Sequence, residues 1–247
     1  MTEFHVTAQG RRLAHEAVPG QGAGVVFIHG FNSDMGGTKV VDLEAWCRAK
    51  GRPMLRFDLS GHGASGGRVA DFGITDWLED AGDIIAALGG ARPLLVGSSL
   101  GGWLALLLAR ARPEAFAGLV TIAAAPDFTE RMRAEFSDAD RAALAGQGAV
   151  TRPSDYGEDY VFSQRLFDQG AANQVFAEPL DLPLPVRMLQ GTGDADVPMA
   201  DALRLLDHAT GPNIRLTLVK DADHRFSGPR ELALIRAAAA EILTAAG

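Results

Sequence analysis

The chain has little of what several classes of protein depend on. A single cysteine, Cys47, among 247 residues excludes an intrachain disulfide, and its neighbours have neither metal-ligand spacing nor the setting of a reactive thiol. Positive charge is in deficit. The formal net charge of −8 removes the electrostatic drive toward a phosphate backbone, so no nucleic-acid partner is expected. Long apolar runs are missing too: the longest, Trp103 to Ala109, is far short of the roughly 20 residues a membrane-spanning helix needs and reads as a buried helix. The first residues carry an early acid and no apolar segment, which argues against a signal or transit peptide and leaves the cytoplasm as the expected location. There is no internal repeat and no low-complexity tract.

What is present is a globular composition, 47% hydrophobic and 22% charged with 29 glycines, in a length that α/β folds commonly use for one domain. Residues 4–6 and 13–14 flank a polar turn and predict an antiparallel hairpin at a sheet edge. Short apolar runs at 25–28, 94–96, 119–122 and 186–189 suit strands covered on both faces. Helical patterns at 39–50, 74–88, 100–110 and 200–208 alternate with them, which implies right-handed crossovers and one mostly parallel sheet of about eight strands flanked by helices. Residues 214–218 alternate as an edge strand, and 230–245 form a closing helix. The rhythm breaks at 126–184, a proline- and aromatic-rich stretch with helix-like pieces near 129–145 and 158–171. We expect a small cap inserted into a core made of 1–125 and 185–247.

The chemistry starts at Gly97-Ser98-Ser99-Leu100-Gly101, placed between an apolar strand and a helix. Only Ser99 has glycine two residues before and two after, where side chains would crowd a tight strand-to-helix turn. At such a turn the hydroxyl projects from the sheet's carboxyl edge, and the helix N-terminus favours the negative charge that develops during attack. This context resembles the nucleophile elbow of α/β-hydrolases, and the order of elements fits the α/β-hydrolase fold.

A serine hydroxyl needs an adjacent base to be nucleophilic at neutral pH. His224 follows the last strand and precedes the last helix, where the α/β-hydrolase resemblance puts the base. His5 and His15 belong to the edge hairpin and His208 to a helix, His62 sits in a glycine-rich loop expected to be solvated, and His29 is placed to shape the turn that follows it. The imidazole in turn needs a carboxylate to fix its tautomer. Asp194 and Asp196 follow the strand at 186–189, and Asp223 is a weak rival because adjacent side chains usually point apart. By resemblance, Gly191-Thr192-Gly193-Asp194-Ala195-Asp196-Val197-Pro198 places the acid at Asp194, with Asp196 a turn or cap residue. The N–H groups of Leu100 and Phe31 are the candidate oxyanion donors. The scheme calls for no cofactor and no metal.

More narrowly, the chain resembles the thioesterase branch that includes mitochondrial palmitoyl-protein thioesterases and acyl-glucuronide esterases. That likeness rests on the segment from Gly30 to Lys39, on Arg56-Phe57-Asp58 with Gly61 and Ser65, on Gly97 to Trp103, and on Asp223-His224-Arg225. It implies a carboxyl ester or thioester hydrolase with a triad of Ser99, Asp194 and His224 and an oxyanion hole at Phe31 and Leu100. The composition, alanine-rich with arginine over lysine, looks bacterial. The partner implied is a small-molecule acyl ester or thioester, or an acylated protein.

Aromatics crowd the expected cap: Phe128, Phe136, Tyr156, Tyr160, Phe162, Phe167 and Phe176. Phe128, Tyr156 and Arg152 are the candidate substrate contacts, and Arg131 and Arg165 are further candidates to meet a carboxylate on the leaving group. Two other readings stay open: a carbon–carbon hydrolase or acyl-aminoacyl peptidase of the same fold, and a non-catalytic ligand-binding homologue. Dehalogenase and epoxide-hydrolase chemistry is disfavoured, because those enzymes resemble this fold but carry aspartate at the elbow.

Overall fold

A computed structural model describes residues 2–153 and 159–245. In chain order the elements are β1 (Glu3–Val6), β2 (Arg12–Val18), β3 (Val25–Ile28), α1 (Thr38–Ala49), β4 (Met54–Phe57), α2 (Ile74–Leu88), β5 (Leu94–Ser98), α3 (Leu100–Ala111) and β6 (Gly118–Ile122). The segment 126–184 then contributes α4 (Phe128–Ala134), α5 (Asp138–Gln147), β7 (Ala149–Arg152), β8 (Tyr160–Ser163), α6 (Gln164–Ala172) and β9 (Leu180–Asp181). The chain closes with β10 (Val186–Gly191), α7 (Met199–His208), β11 (Ala209–Thr210), β12 (Ile214–Val219) and α8 (Pro229–Ala245).

Eight strands form one sheet in the order β1-β2-β4-β3-β5-β6-β10-β12. The β1-β2-β4 edge is antiparallel and the remainder parallel. Every residue of β3, β5, β6 and β10 is buried, the physical reason those strands read as mostly apolar runs. β12, an edge strand, is mostly half-buried or exposed. Helices pack on both faces. One face gathers Ile74, Trp77, Trp103 and Leu104 from α2 and α3; the other gathers Val40, Leu43 and Cys47 of α1 with Ile235, Ala239 and Ile242 of α8. Each fully buried aliphatic side chain contributes roughly 1.5–3 kcal/mol. The indole N–H groups of Trp77 and Trp103 are satisfied by the carbonyls of Ser60 at 2.9 Å and Asn173 at 3.0 Å. Burial pushes the Cys47 thiol up to about 12, consistent with an inert packing role.

The structure adds elements that hydrophobic patterning does not reveal. β4 is one of these, with Arg56 inside it; the guanidinium is held by Glu16, Glu44 and the Met35 carbonyl instead of reaching solvent. The helical stretch expected near 129–145 is two helices, divided where Ser137 and Asp140 form a capping box that starts α5. Within the piece expected as helix over 158–171, Tyr160–Ser163 form β8, which pairs antiparallel with β7, and Ser163 then caps α6; residue 158 lies outside the described residues.

The segment 126–184 runs between β6 and β10, neighbours in the sheet. It is pinned to the core at the start of α2, where the first helical N–H groups have no partner of their own. Gln169 of α6 accepts from Thr75 N at 2.9 Å and Asp76 N at 3.3 Å. Arg165 makes a two-pronged bond to the Asp76 carboxylate at 2.6 and 2.7 Å.

Candidate functional site

Ser99 sits between β5 and α3 with φ 54° and ψ −117°, a conformation that costs a non-glycine residue strain. The flanking glycines make that turn sterically possible. A Cβ on Gly97 would collide with the Gly101 carbonyl, and one on Gly101 would collide with the backbone of Ile28 in β3. The serine backbone is locked further: Ser99 N donates to Ile122 O at 2.9 Å, and Ser99 O accepts from Gly102 N at 2.9 Å.

Asp194 and His224 come from the loops after β10 and β12, parallel neighbours, so the sheet itself brings them together. His224 Nδ1 lies 2.9 Å from Asp194 Oδ2. A carboxylate only accepts, so the Nδ1 carries the proton and Nε2 presents its lone pair. The Asp194 side chain is 0% exposed. Its Oδ1 takes the N–H groups of Asp196 at 2.9 Å and Val197 at 2.8 Å, and its Oδ2 also takes Gln190 Nε2 at 3.1 Å. Burial pushes this carboxyl up, but the bonds from His224, Val197 and Gln190 together outweigh it and hold the group below the usual carboxylate value. Ser99 and His224 line the same cavity, of about 740 Å³. Donor atoms of Asp194, Asp196 and His224 lie within 4.8 Å of one another, a spacing a metal ion also fits. Four hydrogen bonds already fill both oxygens of Asp194, so hydrogen bonding accounts for the cluster. Asp223, the rival acid, turns away and accepts from Phe226 N at 3.1 Å.

Leu100 opens α3, so its N–H has no acceptor within the helix. Phe31 stands across from it in the loop after β3, in the wall of the same cavity. The residues quoted for the narrower resemblance brace this loop. Asp58 accepts from Met35 N at 2.7 Å and from Ala64 N at 2.8 Å, Arg56 donates to Met35 O at 2.6 Å, and Ser65 Oγ donates to Asp58 O at 2.7 Å. His29 is locked as well. Its Nε2 accepts from Leu59 N at 3.1 Å, so Nδ1–H donates to Gly30 O at 2.8 Å, and burial drops its pKa to about 4. It shapes the turn as a neutral ring.

His62 departs from the sequence reading. Instead of standing in solvent it is buried beneath Phe31 and beside Trp77 and His29, and burial takes its pKa down to about 3. Positive-φ glycines on either side, Gly61 and Gly63, fold the loop inward and carry the ring with it. Of the other histidines, His5 pairs with Asp83 at 2.5 Å, His208 meets the carbonyls of Glu178 at 2.9 Å and Val175 at 3.1 Å, and His15 is buried in β2.

The candidate substrate contacts divide. Phe128 lines the cavity and meets Trp103 edge-on at 5.7 Å. Arg152 reaches the cavity but is paired with Asp140 at 2.7 Å. Tyr156 lies outside the described residues. Arg131 also lines the cavity, held by the Asp196 carbonyl at 2.8 Å, whereas Arg165 is bound to Asp76 and is not in the cavity wall. Of the aromatics, Tyr160 and Phe162 join Phe128 at the cavity, while Phe136 and Phe167 pack edge-on against each other in the core at 5.1 Å. Sequence reasoning gave no role to Lys39, Met132, Val197 or Arg225, which also line the cavity. Three of them carried a signal in the quoted motifs: Lys39 ends Gly30 to Lys39, Val197 stands in Gly191 to Pro198, and Arg225 follows His224 in Asp223-His224-Arg225.

Comparison with known proteins agrees with this architecture. The alpha/beta hydrolase family pattern matches residues 25–237. The mitochondrial palmitoyl-protein thioesterase ABHD10 of Rattus norvegicus is 32% identical over 225 residues, covering 90% of this chain and 76% of the rat protein. The Homo sapiens ABHD10 is also 32% identical, with 90% and 74% covered. Among solved structures, a candidate hydrolase from Agrobacterium vitis superposes with a TM-score of 0.94 at 36% identity, over 98% of both chains. Mouse ABHD10 gives 0.92 at 29% identity over the whole of both. No helix among the described residues is long and apolar enough to cross a membrane. An elbow serine, a buried acid on a histidine and the matching family pattern converge on one conclusion: the chain belongs to the alpha/beta hydrolase family, as a hydrolytic enzyme with thioesterase relatives.

Proposed function

We propose that the protein is a serine esterase or thioesterase that works through an acyl-enzyme on Ser99. The observation that carries this reading is the 2.9 Å bond from His224 Nδ1 to buried Asp194, with His224 and the strained elbow serine in one cavity wall. Ser99 Oγ attacks the acyl carbonyl carbon as His224 Nε2 takes its proton, and the N–H groups of Phe31 and Leu100 receive the oxyanion. Each such donor is worth roughly 2.7–4 kcal/mol in the transition state. Collapse breaks the bond to the leaving oxygen or sulfur, which takes the proton back from His224. A water molecule, deprotonated by the same ring, then releases the acid and regenerates the serine.

The substrate side favours an apolar acyl group: Phe31, Phe128, Met132, Tyr160, Phe162 and Val197 line a cavity within the size range of small-molecule sites. The thioesterase named among the relatives supports a thioester as readily as an ester. The test is fluorophosphonate labelling together with p-nitrophenyl ester and matched acyl-thioester turnover. Ser99→Ala is expected to abolish labelling and lower kcat by on the order of 10⁶. Near-full turnover in that variant would refute the reading.

A further inference from the structure

One cation in the cavity wall has no part in the scheme above. Lys39 lies in the first turn of α1, directly after the loop that carries Phe31, and its Nζ donates to the main-chain carbonyl of Arg225 at 2.6 Å. Arg225 is the residue next to His224, so a single side chain spans 186 positions of sequence to join the two sides of the cavity. The loop it reaches is tightly bent. Asp221 and Phe226 both have positive φ, 62° and 48°. Among its further ties, Phe226 N donates to Asp223 at 3.1 Å, Asp221 N to Thr192 Oγ1 at 2.9 Å, and Ser227 Oγ to the same Arg225 carbonyl at 2.8 Å. These three stay within the loop or run to the acid loop, whereas the Lys39 bond crosses to the side on which Phe31 stands.

We propose that Lys39 is a positioning residue for hydrolysis at this site: its bond to the Arg225 carbonyl fixes the His224 loop against the oxyanion-side segment and so sets the imidazole relative to Ser99. This rests on the reading of Ser99 as nucleophile. A charge-assisted hydrogen bond is about twice as strong as a neutral one, and a misplacement of about 1 Å at a reacting centre can cost on the order of 10²-fold in rate. The charge matters because it is lost within an accessible pH range. Burial lowers the Lys39 pKa to about 8, opposed by Asp223 and Asp194, with Arg225 adding to the lowering; these are the charged groups facing it from the His224 and Asp194 loops. Deprotonation leaves a neutral donor and a weaker tie.

The experiment compares wild type, Lys39→Met and Lys39→Arg for kcat, KM and fluorophosphonate labelling rate from pH 6 to 10, with thermal unfolding as the check on folding. Wild-type kcat is expected to fall through an alkaline limb near pH 8. Lys39→Met is expected to lose about tenfold in kcat and in labelling rate, with KM within threefold and no limb. Lys39→Arg keeps a non-titrating donor, so kcat stays within threefold of wild type and the limb disappears. A methionine variant with kcat within twofold of wild type, or one whose loss falls wholly on KM, overturns the proposal. Should that variant not fold, the arginine variant decides: a limb that persists in it overturns the proposal, and one that vanishes supports it. Failure of the underlying reading shows separately, as labelling that survives Ser99→Ala.

Discussion

The ring of Phe31 lies face to face with that of Phe162, centroids 5.2 Å apart and planes 11° from parallel. Phe31 belongs to the loop with a candidate oxyanion donor and Phe162 to β8 of the segment 126–184, so this stack links that segment to the candidate site. Trp77 braces the same ring from the core side at 5.9 Å. Phe162→Leu keeps most of the volume and removes the stack. It is expected to lower kcat about tenfold by loosening Phe31, with a stability loss under about 1.5 kcal/mol. Steady-state kinetics and thermal melts check this, and an unchanged kcat would sever the proposed link.

Asp194→Asn keeps the shape and removes the charge that fixes the His224 tautomer. A loss of about 10⁴ in kcat is expected, measured on a p-nitrophenyl ester. The substitution also has a stability signature. The carboxyl is held below its ordinary value of 3.8 in the folded state, so its contribution is present above that value and is lost as pH falls through the folded value. Urea titrations between about pH 5 and pH 2 should therefore show a smaller acid-induced loss in the asparagine variant than in wild type. An equal loss would mean that Asp194 is not depressed.

Gly101→Ala drives a methyl group into the Ile28 backbone of the adjacent strand, where no flexible side chain can give way. The expected cost is about 1–3 kcal/mol of stability from overpacking, together with loss of fluorophosphonate labelling as the elbow is displaced. Denaturant melts and labelling on one preparation test both, and a labelled, undestabilised variant would contradict the steric account.

Arg165 and Asp76 are unequal partners. Asp76 is 7% exposed, accepts from Gly73 N at 3.0 Å and faces Arg11 as well, whereas Arg165 is half exposed. Asp76→Ala leaves Arg11 paired with Asp80 and Glu79 and Arg165 half in solvent, so the expected cost is that of the lost bond to Gly73 N at the helix start, about 0.5–2 kcal/mol. Arg165→Ala should cost no more than about 1 kcal/mol and leave kcat/KM within twofold, because the guanidinium stands apart from the cavity. A larger kinetic loss would return Arg165 to the list of substrate contacts.

The legible parts of the sequence were those where a local cause fixes the outcome. Strands β3, β5, β6 and β10 show as apolar runs because both of their faces are covered, and α2 shows from Ile74 to Leu88 because its buried face repeats at helical spacing. Ser99 stood out because its turn admits only glycine at Gly97 and Gly101. β4 did not stand out, and the residues that hold Arg56 inside it, 16 and 44, are neighbours that only folding supplies. The partners of two arginines were hidden for the same reason: Asp76 and Asp140, which engage Arg165 and Arg152, are neighbours that only folding supplies.

By itself the sequence determined which residue types sit in which turns: a serine between glycines, a histidine between the last strand and the last helix, and acids after the strand before. Short-range sterics and hydrophobic periodicity decide those placements, and both act over a few residues. The tertiary structure alone decided which acid faces the histidine, that His62 is buried, and that Lys39 reaches the carbonyl beside His224. Those outcomes depend on strand order and on which loops meet above the sheet, relations between residues tens to hundreds of positions apart that no local pattern encodes.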